Sequence, residues 1–157
     1  MIKAIETEYK GHAFRSRLEA RWATALDSLG IEYWYEPEGY DLDGVWYLPD
    51  FWLPKLQGGI YAEVKPGSPT DAEYQKIRRL AMASDRWVLL LDGPPDFRSY
   101  VFYEPVQDVP PAIIYHWAIF WPRENRLFVD PAPHEVKALE NMPEYIAAVH
   151  HARKARF

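Results

Sequence analysis

Leu48-Pro49-Asp50-Phe51, followed further along by Ile60-Tyr61-Ala62-Glu63-Val64-Lys65, decides how this chain is read, because it sets two carboxylates and one ammonium on segments that neighbouring strands bring together. Side chains alternate between faces along a strand, so Tyr61, Glu63 and Lys65 share one face, with Glu63 and Lys65 ~6–7 Å apart at the backbone. Ile60, Ala62 and Val64 then face the core. A preceding strand that returns through Pro54 to Gly59 sets Asp50 opposite Glu63 if the register pairs Leu53 with Ile60. A slip of one residue separates them. Pro49 cannot donate to a ladder and marks a strand end, edge or bulge, and such a break re-aims the side chain that follows, here Asp50. Hard metal ions collect on oxygen clusters of this kind.

Upstream, Leu18, Trp22, Ala25, Leu26 and Leu29 recur at helical spacing from Ser16 to Leu29, with Gly30 as the stop. Glu19 lies roughly 70° from the centre of this apolar stripe, whereas Asp27 lies near the opposite side. Two readings of Glu19 stand side by side. Either it looks into a cleft from the rim of the core, or it closes a capping box with Ser16 and only satisfies the helix N-terminus. Ile31 to Glu36 and Val45 to Leu53 read as strands, separated by Pro37-Glu38-Gly39 and Asp41-Leu42-Asp43-Gly44 turn signals.

Downstream, Pro66-Gly67-Ser68-Pro69 ends the strand, and Thr70-Asp71-Ala72-Glu73 is a capping box that opens a helix through about Ala83, with Ile77, Leu80 and Ala81 on its inner face. Trp87 to Leu91 is a short apolar run suited to a central strand covered on both sides. Strand, helix, strand from Ile60 to Leu91 is therefore a parallel, right-handed βαβ unit. The sheet mixes parallel and antiparallel pairs. Weaker signals give a strand at Tyr100 to Tyr103, a hairpin of Trp117 to Trp121 with Arg126 to Val129, and a final helix opening at Asn141-Met142-Pro143-Glu144.

A chain of 157 residues, 48% hydrophobic, is long enough to bury one full core and reads as a single domain over 1–157. Its longest apolar runs, Val88 to Leu91 and Pro110 to Ile114, fall far short of the ~20 residues that span a bilayer, and the start Met1-Ile2-Lys3-Ala4-Ile5-Glu6 lacks an apolar signal core, so a cytoplasmic protein is expected. Without cysteine there is neither a disulfide nor a thiolate metal site, and any metal relies on oxygen or imidazole ligands, which leans towards Mg²⁺ or Mn²⁺. The formal charge of −5 sits poorly with a strong grip on nucleic acid, so binding is expected to be weak and salt-sensitive unless a protein partner or a homodimer adds affinity.

The order of a helix with Glu19, a strand, a strand with Pro49-Asp50, a strand with Glu63-Val64-Lys65, a helix and a strand resembles the PD-(D/E)xK nuclease superfamily, which includes many restriction endonucleases and the TnsA-type transposon nucleases. The resemblance covers about Phe14 to Leu91. It implies an α/β fold with a restriction-endonuclease-like αβββαβ core (about 14–91), a mixed central sheet flanked by helices, and a C-terminal hairpin-and-helix elaboration (about 96–157). It further implies a Mg²⁺-dependent endonuclease acting on DNA. Asp50 and Glu63 would bind the cation with the Val64 backbone carbonyl, Lys65 would approach the attacking water, and Glu19 would assist through a water. Arg15, Gln75, Lys76 and Arg79 are the candidate phosphate contacts, Arg15 because it lies one turn before Glu19. The plain alternative makes Asp50 a turn aspartate and Glu63 with Lys65 an ion pair on an exposed strand. A rival from another class is a non-catalytic binding or assembly subunit.

Overall fold

The structure, a computed structural model, describes residues 4–106 and 115–157. The apolar run Pro110 to Ile114 thus lies outside the described residues. A first hairpin, β1 (Thr7–Tyr9) and β2 (His12–Phe14), leads into helix α1 (Arg17–Ser28). Ser16 caps α1 by accepting from the Glu19 N–H at 3.1 Å. The helix closes with Gly30 at φ +71° and Ile31 N–H returned to the Leu26 carbonyl.

That closure explains one difference from the strand expected over Ile31 to Glu36. Ile31 is spent on the helix end and Glu36 turns left-handed at φ 47°, so β3 is only Trp34–Tyr35. The strand expected over Val45 to Leu53 is also two. Pro49 splits it, as a residue without an N–H must. β5 (Val45–Tyr47) pairs with β4 (Tyr40–Leu42) across a tight turn at Asp43 and Gly44, while β6 (Phe51–Leu53) joins the main sheet. The Asp41-to-Gly44 segment, read as a turn, is thus half strand.

β7 (Ile60–Lys65), α2 (Asp71–Ser84) and β8 (Val88–Asp92) form the expected parallel βαβ unit, with the Thr70–Glu73 capping box closed in both directions. β9 (Tyr100–Tyr103), β10 (Tyr115–Trp121) and β11 (Arg126–Val129) extend the same sheet, whose order is β11-β10-β9-β8-β7-β6-β3. β8 is its middle strand, and the β7–β8 pair alone is parallel among the described ladders. A short helix not expected above, α3 (Pro133–Ala138), opens with Pro133 in its first turn and Glu135 behind it, and precedes the expected last helix α4 (Pro143–Lys154).

Both faces of the sheet are covered, which makes the architecture a mixed α/β sandwich. Ile60, Ala62, Val64, Leu89 and Leu91 pack under α1 and α4 with Trp22 and Tyr145. Tyr61, Val88 and Leu90 pack on the other side against Ile77 and Leu80 of α2 and Leu42 of β4. The indole N–H of Trp22 donates to the Gly93 carbonyl at 2.9 Å, tying α1 to the carboxyl end of β8. Arg21 donates to the Ala152 carbonyl at 2.6 Å and so fixes α1 to the last turn of α4. No helix among the described residues is long and apolar enough to cross a membrane.

Candidate active site

Register decides the site. Leu53 pairs with Ile60, Trp52 with Tyr61 and Phe51 with Ala62, so Asp50 falls opposite Glu63 where β6 ends. Three forces hold β6 there. Pro49 is buried, Phe51 is fully buried against Phe14 and Tyr35, and the return loop brings Gly59 under Trp52 so closely that a Cβ would meet the indole ring at 2.4 Å. Gly59 lies at φ +104°, a conformation that a side chain resists as well.

Past Pro49 the ladder has no backbone partner for β7, and the two carboxylates take its place. The Val64 N–H donates to Asp50 Oδ2 at 2.8 Å, and the Asp50 N–H donates to Glu63 Oε1 at 2.9 Å. Tyr47 completes the shell, its hydroxyl donating to Glu63 Oε2 at 2.5 Å. Within a strand the N–H and C=O of one residue point to the same side, so the Val64 carbonyl shares the side that Asp50 occupies. Glu19 reaches the same region from α1. Its Oε2 accepts from Tyr35 at 2.7 Å, and that hydroxyl in turn accepts from the Arg15 N–H at 3.0 Å. Of the two readings of Glu19, the inward one holds: its N–H is capped by Ser16, but its buried carboxylate is engaged with Tyr35.

Electrostatically the acids strain one another. Glu63 is 2% exposed, and loss of water pushes its carboxyl up to about 7, against the pull of the Tyr47 and Asp50 donors. Asp50 is raised well above the usual carboxylate range, first by burial and then by the negative charges of Glu63 and Glu19. The two titrate as a pair. Such a pair is short of positive charge, and a divalent cation is one way to supply it. The residues present fit one: Asp50 and Glu63 offer carboxylate oxygens and Val64 a carbonyl, all hard ligands. Among the described residues no group of three or more Asp, Glu, His or Cys side chains is arranged to hold a metal ion.

Lys65 departs from the expected arrangement. Its Nζ pairs with Glu73 Oε2 at 3.3 Å, at the N-terminus of α2, while the other Glu73 oxygen accepts from the Thr70 N–H. The Glu73 carboxyl is held below its usual range first by that N–H and then by Lys65. The ammonium still lowers the proton affinity of Asp50 and Glu63, so it stands within electrostatic reach of both. The plain alternative of a Glu63–Lys65 ion pair on an exposed strand does not describe this arrangement, because Glu63 is buried and Lys65 pairs elsewhere.

The candidate phosphate contacts divide. Arg15 precedes the Ser16 cap, so it sits on the β2–α1 turn and not on a helical face shared with Glu19; its Nε lies 2.6 Å from Glu36. Lys76 is one turn along α2 from Glu73 and on that residue's side of the helix. Gln75 and Arg79 are turned away. Arg79 lines a hollow with Asp41 and Asp43 of the β4–β5 hairpin. Three site residues escaped the sequence reading: Tyr35 and Tyr47, which look like ordinary strand aromatics, and Glu73, whose visible duty is the cap. No family model, curated protein or solved structure matches this chain.

Proposed function

We propose that this protein is a divalent-metal-dependent nuclease that hydrolyses DNA phosphodiester bonds, built on a restriction-endonuclease-like core of α1, β3, β6, β7, α2 and β8. The observation that carries the reading is the β6–β7 register, which sets the Glu63 carboxylate on the Asp50 N–H and the Asp50 carboxylate on the Val64 N–H at the end of a broken ladder. A strand pair kept only for packing has no use for two desolvated acids, which cost stability at neutral pH. Asp50, Glu63 and the Val64 carbonyl would hold the cation, and Glu19 would orient a water beside it. A bound Mg²⁺ or Mn²⁺ supplies a Lewis acid for the phosphoryl oxygen and lowers the pKa of water. Lys65, within electrostatic reach of both acids, would position the attacking water and balance charge building on the phosphate. The choice of DNA rests on the family resemblance.

One observation favours the rival reading of a binding or assembly subunit: the Lys65–Glu73 pair draws the ammonium off the acids. The two part company in one experiment. Purified protein is incubated with supercoiled, linear and branched DNA, with and without Mn²⁺, beside Asp50→Ala and Lys65→Ala. A nuclease nicks or linearises only with the cation and only in the wild type. Intact DNA in every lane, together with a stable protein complex, assigns the binding role instead.

A further inference from the structure

We propose that the cleft beside the acid pair accepts one unpaired nucleotide, so that the substrate class is single-stranded or frayed DNA and not an intact duplex; this deepens the nuclease reading and rests on it. The cleft has a volume of about 600 Å³, within the range that encloses a small organic group. The start of α1 forms one wall, with Arg17, Leu18 and Glu19, and the end of β7 forms the other, with Val64, Lys65 and Pro66. Ile5, which is exposed, lies along its mouth. Asp50 and Glu63 do not themselves line the cleft; it adjoins them through Val64, whose N–H donates to Asp50 Oδ2 at 2.8 Å.

Two kinds of surface meet there. Ile5, Leu18, Val64 and Pro66 give apolar walls, which suit the faces of a sugar and base. Arg17 gives the cation. It enters none of the ion pairs among the described residues, whereas Arg15 is held by Glu36 and Lys65 by Glu73, which also lines the cleft. A phosphate beside Arg17 is thus met by an uncommitted guanidinium.

A paired duplex cannot use this cleft. Its bases stay stacked inside, and enzymes that need one in a pocket must extrude it or take a single strand. Its dense phosphate charge also demands a broad basic footprint, which a chain of formal charge −5 is poorly made to offer. A single strand asks less, since it can bend one nucleotide into the slot and needs few phosphate contacts.

The test is fluorescence anisotropy with full-length protein in EDTA, so that binding is read without turnover, using a labelled twelve-nucleotide single strand and the same sequence as a blunt duplex. Wild type is expected to bind the single strand more tightly. Arg17→Gln weakens it by about fivefold and flattens the salt dependence by ~0.7 in the log–log slope, and Ile5→Ser weakens it without changing that slope. Lys137→Gln on α3, the same charge change away from the cleft, leaves binding unaltered. Equal or tighter binding of the duplex, or Arg17→Gln matching Lys137→Gln, overturns the inference. Cleavage of duplex DNA with Mn²⁺ alongside such a result leaves the nuclease reading intact. Arg17-dependent single-strand binding with no cleavage under any condition overturns the nuclease reading alone.

Discussion

The strained acid pair makes a quantitative prediction for Glu63→Gln in metal-free protein. Tyr47 and the Asp50 N–H both donate to this carboxylate. A glutamine keeps its carbonyl for one of them and, once the Tyr47 hydroxyl rotates, donates its amide to the other, so the buried hydrogen bonds survive. What is removed is a charge that burial disfavours. Each tenfold change in proton affinity is worth ~1.4 kcal/mol, so holding the Glu63 carboxyl near 7 costs the folded state about 3 kcal/mol at pH 8.5, where the unfolded chain ionises freely. Part of this returns when Asp50 relaxes beside a neutral partner, leaving an expected gain of about 1–2 kcal/mol. The direction with pH is fixed. Between the ordinary glutamate range and about 7 the native protein retains a proton that the unfolded chain has released, so wild-type stability falls as pH rises through that window. The variant lacks this titration. By thermal melts in EDTA it is expected to match wild type near pH 5 and to melt several degrees higher at pH 8.5, at ~2–4 °C per kcal/mol for a chain of this size. A variant that is less stable at both pH values, or an offset that does not change with pH, refutes the reasoning.

The remaining predictions concern the same residues from other directions. Mn²⁺ at one hundred times its Kd should stabilise wild type by ~2.7 kcal/mol and leave Asp50→Asn unmoved in the same melt, since that variant keeps an acceptor for the Val64 N–H but loses the charge. Tyr47→Phe removes a donor from Glu63, so the carboxyl should hold its proton to higher pH and titrated Mn²⁺ should bind more weakly at pH 7 than at pH 9. Glu73→Gln preserves the capping box while breaking the ion pair to Lys65, and its stability is expected within ~1 kcal/mol of wild type by urea unfolding. Trp22→Ala empties the space under Tyr100 and Phe120 and orphans the Gly93 carbonyl, at a cost of about 3–5 kcal/mol in the same assay.

Much of the backbone follows from local physics. The Ser16 and Thr70 caps, the Gly30 stop, the alternation of Ile60 to Lys65 and the apolar run at Val88 to Leu91 each act over a few residues, and each is legible as written. So is the choice between registers, because pairing Leu53 with Ile60 buries both, and a one-residue slip turns Phe51 and Leu53 outward. Even the placement of Asp50 against Glu63 is contained in that register. Glu19 is half legible: the helical angle brings it to the rim of the core, but it took the Tyr35 hydroxyl, from β3, to settle where its carboxylate points.

Charge partnership was the part that sequence spacing could not supply. Lys65 has three acids within electrostatic reach, and its ion pair goes to Glu73 because the crossover brings the first turn of α2 back over the end of β7. Arg15 is the better phosphate candidate by spacing, yet it pairs with Glu36, placed by a left-handed turn, whereas Arg17, which lines the same cleft, enters no ion pair among the described residues. Tyr47 reaches Glu63 only because Pro49 ends the ladder and bends the chain between β5 and β6. Helix caps, strand alternation and register are set by groups a few residues or one turn apart, so the sequence by itself determined them. Which acid holds which base, and how far water is excluded from them, depends on distances between segments remote along the chain, and these were decided only when the tertiary structure closed.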